Sequence, residues 1–187
     1  MDERIEHLYC DVVIVGCGVA GLYCALNLPR ELSIIMLAKT TLDECDSMLA
    51  QGGICVQHDA NDYAPFFEDT LRAGHFENRR ESVDLMIRAS RSVIDNLMSF
   101  GVDFARNDDG SLRYTREGAH SRTRICYHQD TTGAEITTKL LAAVKQLANL
   151  RILENTCMDD ILTEANVSLR NSQYTRQVSR EKNARER

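Results

Sequence analysis

The chain has 187 residues, 43% of them hydrophobic and 27% charged, and a net charge of −6. That suits one soluble domain, or part of a larger one, with a sizeable core. No apolar run approaches the ~20 residues of a membrane span. The +4 carried by Ala165 to Arg187 leaves −10 for residues 1–164, and so acidic a body argues against nucleic acid as the main partner.

The first ten residues, MDERIEHLYC, are charged and lead directly into the first strand, leaving no room for a signal peptide. A cytoplasmic location is expected. The seven cysteines form no C-x-x-C pair and no cluster with histidines, so neither a disulfide framework nor a metal site is expected.

Val12 to Val15 reads as a strand buried on both faces of a parallel sheet. Gly16, Cys17, Gly18, Val19, Ala20 and Gly21 then fit G-x-G-x-x-G, and Leu22, Ala25 and Leu26 follow at helical spacing. A glycine turn between strand and helix is the context that gives this motif meaning. Gly16 allows the tight turn, Gly18 admits a pyrophosphate to the backbone, and Gly21 lets helix and strand approach. Cys17 faces the phosphate site and is a candidate reactive thiol.

Ser33 to Leu37 reads as a second buried strand, completing a βαβ unit with a right-handed crossover. An NAD-type unit would carry Asp or Glu at the end of that strand, yet Ala38-Lys39-Thr40-Thr41 stands there, which counts against a simple NAD dehydrogenase. Gly52-Gly53, beside Gln51 and Ser47, suggests backbone passing close to something flat or anionic. Residues 64–73 and Glu81 to Phe100 read as helices ended by Gly74 and Gly101, the second with a core-facing stripe that includes Met86 and Ile87. Val102 to Arg106 and Leu112 to Thr115 flank Asn107-Asp108-Asp109-Gly110, a hairpin signal.

Arg116 to Ser121 is a dense polar and ionisable group, followed by Arg122 and Arg124. Asp130-Thr131-Thr132-Gly133 opens a helix to about Leu147, capped by Asp130 or Thr132. Arg151 to Leu153 and Met158 to Thr163 read as strands, and the polar, basic stretch 165–187 as a disordered tail.

The glycine fingerprint, AQGGI (Ala50 to Ile54), TREGAHS (Thr115 to Ser121) and DTTG (Asp130 to Gly133), in this order, resemble the L-aspartate oxidase branch of the succinate dehydrogenase/fumarate reductase flavoprotein superfamily. The resemblance covers about residues 8–164. It implies an α/β, Rossmann-like FAD-binding domain with a parallel sheet, incomplete here, over residues 1–164. By position, Cys17, Gly18, Val19 and Ala20 would hold the FAD pyrophosphate within the cofactor-binding turn Gly16 to Gly21, and Lys39 would lie at the adenosine end. Asp46, Ser47, Met48, Leu49, Ala50, Gln51, Gly52 and Gly53 would run along the flavin, and Cys157 and Met158 would touch the adenine side. Asp46 stands where respiratory members carry a flavin-linking histidine, so the FAD should be non-covalent.

The implied chemistry is oxidation of L-aspartate to iminoaspartate, with fumarate or oxygen as electron acceptor and quinolinate synthase as a possible partner, on the route to NAD. Glu117 matches the glutamate thought to meet the substrate ammonium, and His120 is the second catalytic candidate. A structural ion pair of Glu117 with Arg116 or Arg122 is the competing reading. Family members are much longer, so a truncated chain that does not turn over L-aspartate by itself is expected. A soluble fumarate reductase and a non-enzymatic dinucleotide-binding remnant are the other function classes.

Overall fold

The computed structural model describes residues 6–163, so the basic stretch 165–187 lies outside the described residues. Chain contacts divide the protein into Met1–Thr156 and Cys157–Arg187. In the first unit, β1 (Val12–Val15), the helix α1 (Val19–Asn27) and β2 (Ile34–Leu37) form the expected βαβ unit. After β2 come the short helix α2 (Asp46–Leu49), β3 (Ile54–Cys55), a 3-10 turn (Ala60–Asp62), α3 (Tyr63–Ala73) and α4 (Arg80–Ser99). β4 (Tyr114–Thr115), β5 (Ile125–Cys126), α5 (Thr132–Val144) and β6 (Leu150–Leu153) complete it.

β1, β2 and β6 make a parallel sheet in the order β1-β2-β6, with Val12 beside Ile34 and Ile34 beside Leu150. The residues of a strand alternate between faces. Ile14, Ile34 and Met36 accordingly enter a core shared with Leu22 and Ala25 of α1 and Leu140 and Val144 of α5. The opposite face of β1 corrects the expectation of double burial: Val13 is 55% and Val15 52% exposed. An unbroken apolar run reports the composition of a strand, and whether its second face is covered depends on another layer.

β3, β5 and β4 form a small antiparallel sheet in that order. The expected hairpin shrinks to one bridge, Arg106 to Leu112, because Tyr114 pairs with Cys126 of β5 instead. α4 buries Val83, Ile87, Ser90, Ile94 and Leu97 as its spacing predicts, while Met86 stays 49% exposed. Thr131, not Asp130 or Thr132, is the N-cap of α5. The Thr132 hydroxyl instead accepts the His128 amide hydrogen at 2.9 Å. Met158 to Thr163, expected as a strand, is irregular. A strand is defined by the backbone hydrogen-bond ladder it shares with a neighbouring strand, which an apolar pair in the sequence does not by itself specify.

Candidate functional site

β1 delivers the chain to Gly16, whose φ of +104° is the left-handed conformation that glycine adopts at no steric cost. Gly18 is the N-cap of α1 and offers no side chain to it. The first amides of a helix have no partner within the helix and carry partial positive charge. Ser47 Oγ accepts one of them, from Val19 at 3.1 Å. A Cβ on Gly18 would stand 2.9 Å from that same Ser47 Oγ, and one on Gly21 would stand 2.1 Å from the Gly16 carbonyl oxygen. Backbone packing therefore imposes Gly21, while a side chain at Gly18 would displace the Ser47 hydroxyl from the Val19 amide.

Gly16, Cys17, Gly18, Lys39, Asp46 and Ser47 line one cavity of about 370 Å³. The structure thus brings together the turn, the end of β2 and the start of α2, which are spread over about 30 residues of sequence. Cys17 is only 5% exposed, its thiol donates to the Leu37 carbonyl at 3.7 Å, and burial raises its pKa. That removes it as a reactive thiolate.

From Ser47 the segment continues through Met48, Leu49, Ala50 and Gln51 to the two glycines, which have different reasons. A Cβ on Gly53 would collide with the Cys126 carbonyl at 2.3 Å, so Gly53 serves the packing of β3 on β5. At Gly52 the nearest atom to an added Cβ is Glu117 Oε2, at 3.4 Å. Gly133, expected only to open a helix, clamps this segment: its amide donates to the Ala50 carbonyl at 2.9 Å, and a Cβ there would lie 2.1 Å from the Ser47 carbonyl oxygen. Sequence reasoning missed that role, and the glycine in DTTG was its only signal.

Glu117 is exposed and enters no salt bridge among the described residues. Arg122 instead donates to the Asn61 carbonyl at 3.1 Å. Ala119, at φ +68°, turns the loop so that Glu117 meets Gly52 while His120 turns toward α3. There Arg124, fully buried, pairs with Asp62 at 2.8 Å and Asp69 at 2.7 Å. Arg124 Nη1 also donates to His120 Nδ1 at 3.0 Å, because a guanidinium has no acceptor. The neutral imidazole then carries its proton on Nε2 and directs it at Cys55 Sγ, 3.2 Å away. Burial first, then the charge of Arg124, lowers the His120 pKa. Sequence reasoning had Arg124 only as added cationic charge. Its burial shows it to be the anchor of the loop that carries Glu117.

Cys157 and Met158 belong to the second unit, where Cys157 is exposed. Among the described residues no helix is long and apolar enough to cross a membrane.

A glycine turn at a helix N-terminus, the cavity beside it and a parallel β1-β2-β6 sheet define a dinucleotide-binding α/β domain. The chain belongs to the FAD binding domain family, whose model matches residues 11–186, and FAD is its cofactor. The narrow, glycine-lined turn and the neighbouring Lys39 fit that group. The chain is 44% identical over 161 residues to the L-aspartate oxidase of Clostridium acetobutylicum, covering 86% of this chain and 37% of that protein. It is 45% identical over 156 residues to the L-aspartate oxidase of Clostridium perfringens, covering 83% and 35%. The chain therefore spans little more than a third of these relatives. Among solved structures it resembles a quinol-fumarate reductase with menaquinol molecules, at TM-score 0.78 and 24% identity over 86% of this chain and 28% of that one. Mycobacterium smegmatis Sdh1 in complex with UQ1 aligns at TM-score 0.76 and 24% identity over 85% and 29%. At that identity the likeness shows the fold alone, a mixed α/β domain built on a parallel sheet.

Proposed function

We propose that this chain forms the dinucleotide-binding part, and one wall of the substrate site, of an enzyme that oxidises L-aspartate to iminoaspartate. FAD, when bound, supplies the acceptor for the hydride. Gly16 to Gly21 hold its pyrophosphate, Lys39 serves the adenosine end, and Asp46 to Gly53 run along the flavin. Electrons leave to fumarate or oxygen, and quinolinate synthase is the candidate consumer of the product. The seven unpaired thiols suit a reducing, cytoplasmic setting.

The observation that carries this reading is the Glu117 carboxylate beside Gly52, in the segment assigned to the flavin and in no salt bridge among the described residues. A carboxylate so placed accepts charge-assisted hydrogen bonds from a substrate ammonium. His120, with both ring nitrogens engaged, acts by holding the loop. Identity of 44–45% to L-aspartate oxidases, against 24% to the fumarate reductase structure, supports aspartate over fumarate as the substrate.

The test compares L-aspartate with succinate, which lacks the ammonium, as perturbants of the flavin absorbance of the FAD-loaded chain. L-aspartate should bind more tightly, and Glu117→Gln should remove about tenfold of that preference. Equal binding of the two, unchanged by Glu117→Gln, would refute the role of Glu117 and favour a dicarboxylate site blind to the amine.

A further inference from the structure

Away from the flavin cradle, α4 and the turn that follows it enclose a polar cavity of about 750 Å³. Arg91 from α4, Arg106 before the turn and Arg113 after it all line this space, together with His58 and the Tyr114 hydroxyl, and no carboxylate does. In a chain of net charge −6 that is an unusual local excess. Arg72, Arg88, Arg124 and Arg151 each meet a carboxylate within 4.0 Å, but among the described residues these three do not. Of the acidic side chains around the cavity, Asp109 accepts from the Ser111 amide at 2.9 Å and its hydroxyl at 2.6 Å, and Asp59 caps the 3-10 turn through the Asn61 amide and lies 3.5 Å from the His58 ring. Asp95, one helical turn beyond Arg91, acts electrostatically on Tyr114 but forms no salt bridge with any of the three arginines among the described residues.

The guanidinium groups are held in different ways. Arg106 Nη1 donates to the Gly110 carbonyl at 2.8 Å and Nη2 to the Met98 sulfur at 3.6 Å, which fixes its fork across the turn with Nε–H and the second hydrogens of Nη1 and Nη2 still to place. Arg91 Nη1 rests 3.4 Å from the Tyr114 hydroxyl, and His58 packs edge-on against the same ring. Three like charges around one cavity repel each other, weakly where water reaches them, and an anion between them would convert that repulsion into attraction. Guanidinium forks match oxyanions two bonds at a time. The volume lies within the range of small-molecule sites.

We propose that this cavity is a binding site for a small multivalent oxyanion, a phosphate ester or a dicarboxylate, separate from the flavin cradle. It stands whether or not the proposed oxidation of L-aspartate is correct. The test is an amide NMR titration of the isotopically labelled chain with inorganic pyrophosphate and, separately, with succinate, at constant ionic strength. Shifts centred on residues 107–114 are expected with at least one probe, and the tighter probe identifies the class. Arg91→Ala and Arg113→Ala should each weaken that binding about tenfold, while Arg72→Ala leaves it unchanged. All three side chains are exposed, so their removal leaves the fold intact, and an unaltered far-UV circular dichroism spectrum checks this. Shifts confined to residues 16–21, shifts indifferent to the arginine substitutions, or no shifts with either probe would overturn the proposal.

Discussion

The Ser47 hydroxyl accepts the Val19 amide hydrogen at 3.1 Å, across 28 residues of sequence, and so ties the Asp46–Gly53 segment to the N-terminal end of α1. Gly133 closes the other side of that segment. The added methyl of Gly133→Ala would strike backbone and the Ala50 side chain, which no rotamer change relieves. Gly133→Ala should cost about 2–3 kcal/mol of stability and weaken FAD binding. Ser47→Ala should cost about 1 kcal/mol, the usual worth of a lost helix cap. Urea unfolding midpoints and FAD titrations of both variants check this.

Arg124 should be the most sensitive polar position. Removing one partner from a buried ion cluster leaves charge unpaired, which costs about 3–5 kcal/mol, so Arg124→Met should unfold far more readily. Arg124→Lys should not rescue it. One ammonium cannot span Asp62, Asp69 and His120 as the guanidinium does. Thermal unfolding of the two variants provides the measurement.

The acid limb of stability should report Asp69. Burial pushes its carboxyl up, but hydrogen bonds from Ser121 and Arg124 outweigh this and hold the pKa at about 2, below the ordinary 3.8. A depressed carboxylate stabilises the fold above its unfolded pKa, and that contribution disappears as pH falls through the folded value. Between pH 4 and 2 the protein should lose roughly 1–2 kcal/mol through this group, allowing for solvent screening. Denaturant midpoints across that window should fall more steeply for wild type than for Asp69→Asn.

FAD should leave the polypeptide on denaturation, because Asp46 brings no imidazole nitrogen to the position of the histidine that carries a covalent flavin link. Flavin fluorescence that migrates with the denatured chain on a gel would refute this.

The thiols should separate by burial. Cys126, fully buried, has its pKa pushed up to about 12, and Cys17 is raised in the same direction by the same cause. Both should resist alkylation in the native protein at neutral pH, while the exposed Cys24 and Cys157 react. Mass spectrometry of peptides from the labelled native protein reads the order directly.

Local pattern alone made the strand-turn-helix at Val12 to Asn27, the two long helices and the order of the sequence motifs legible. Periodicity, glycine punctuation and the fingerprint are properties of neighbouring residues, so they need no knowledge of what lies across the fold. The tertiary structure decided what depends on distant partners. Gly53 and Gly133 are glycines because other backbones cross them. Arg124 is an anchor because Asp62 and Asp69 stand 62 and 55 residues earlier in the chain. Glu117 faces Gly52 because Ala119 bends the loop and Arg124 holds it, and Val13 and Val15 are exposed because no layer of the described chain covers them. A sequence carries the shape of each element in short-range sterics and hydrophobic spacing. Which elements meet, and which charges are thereby taken out of water, is settled only when the chain closes on itself.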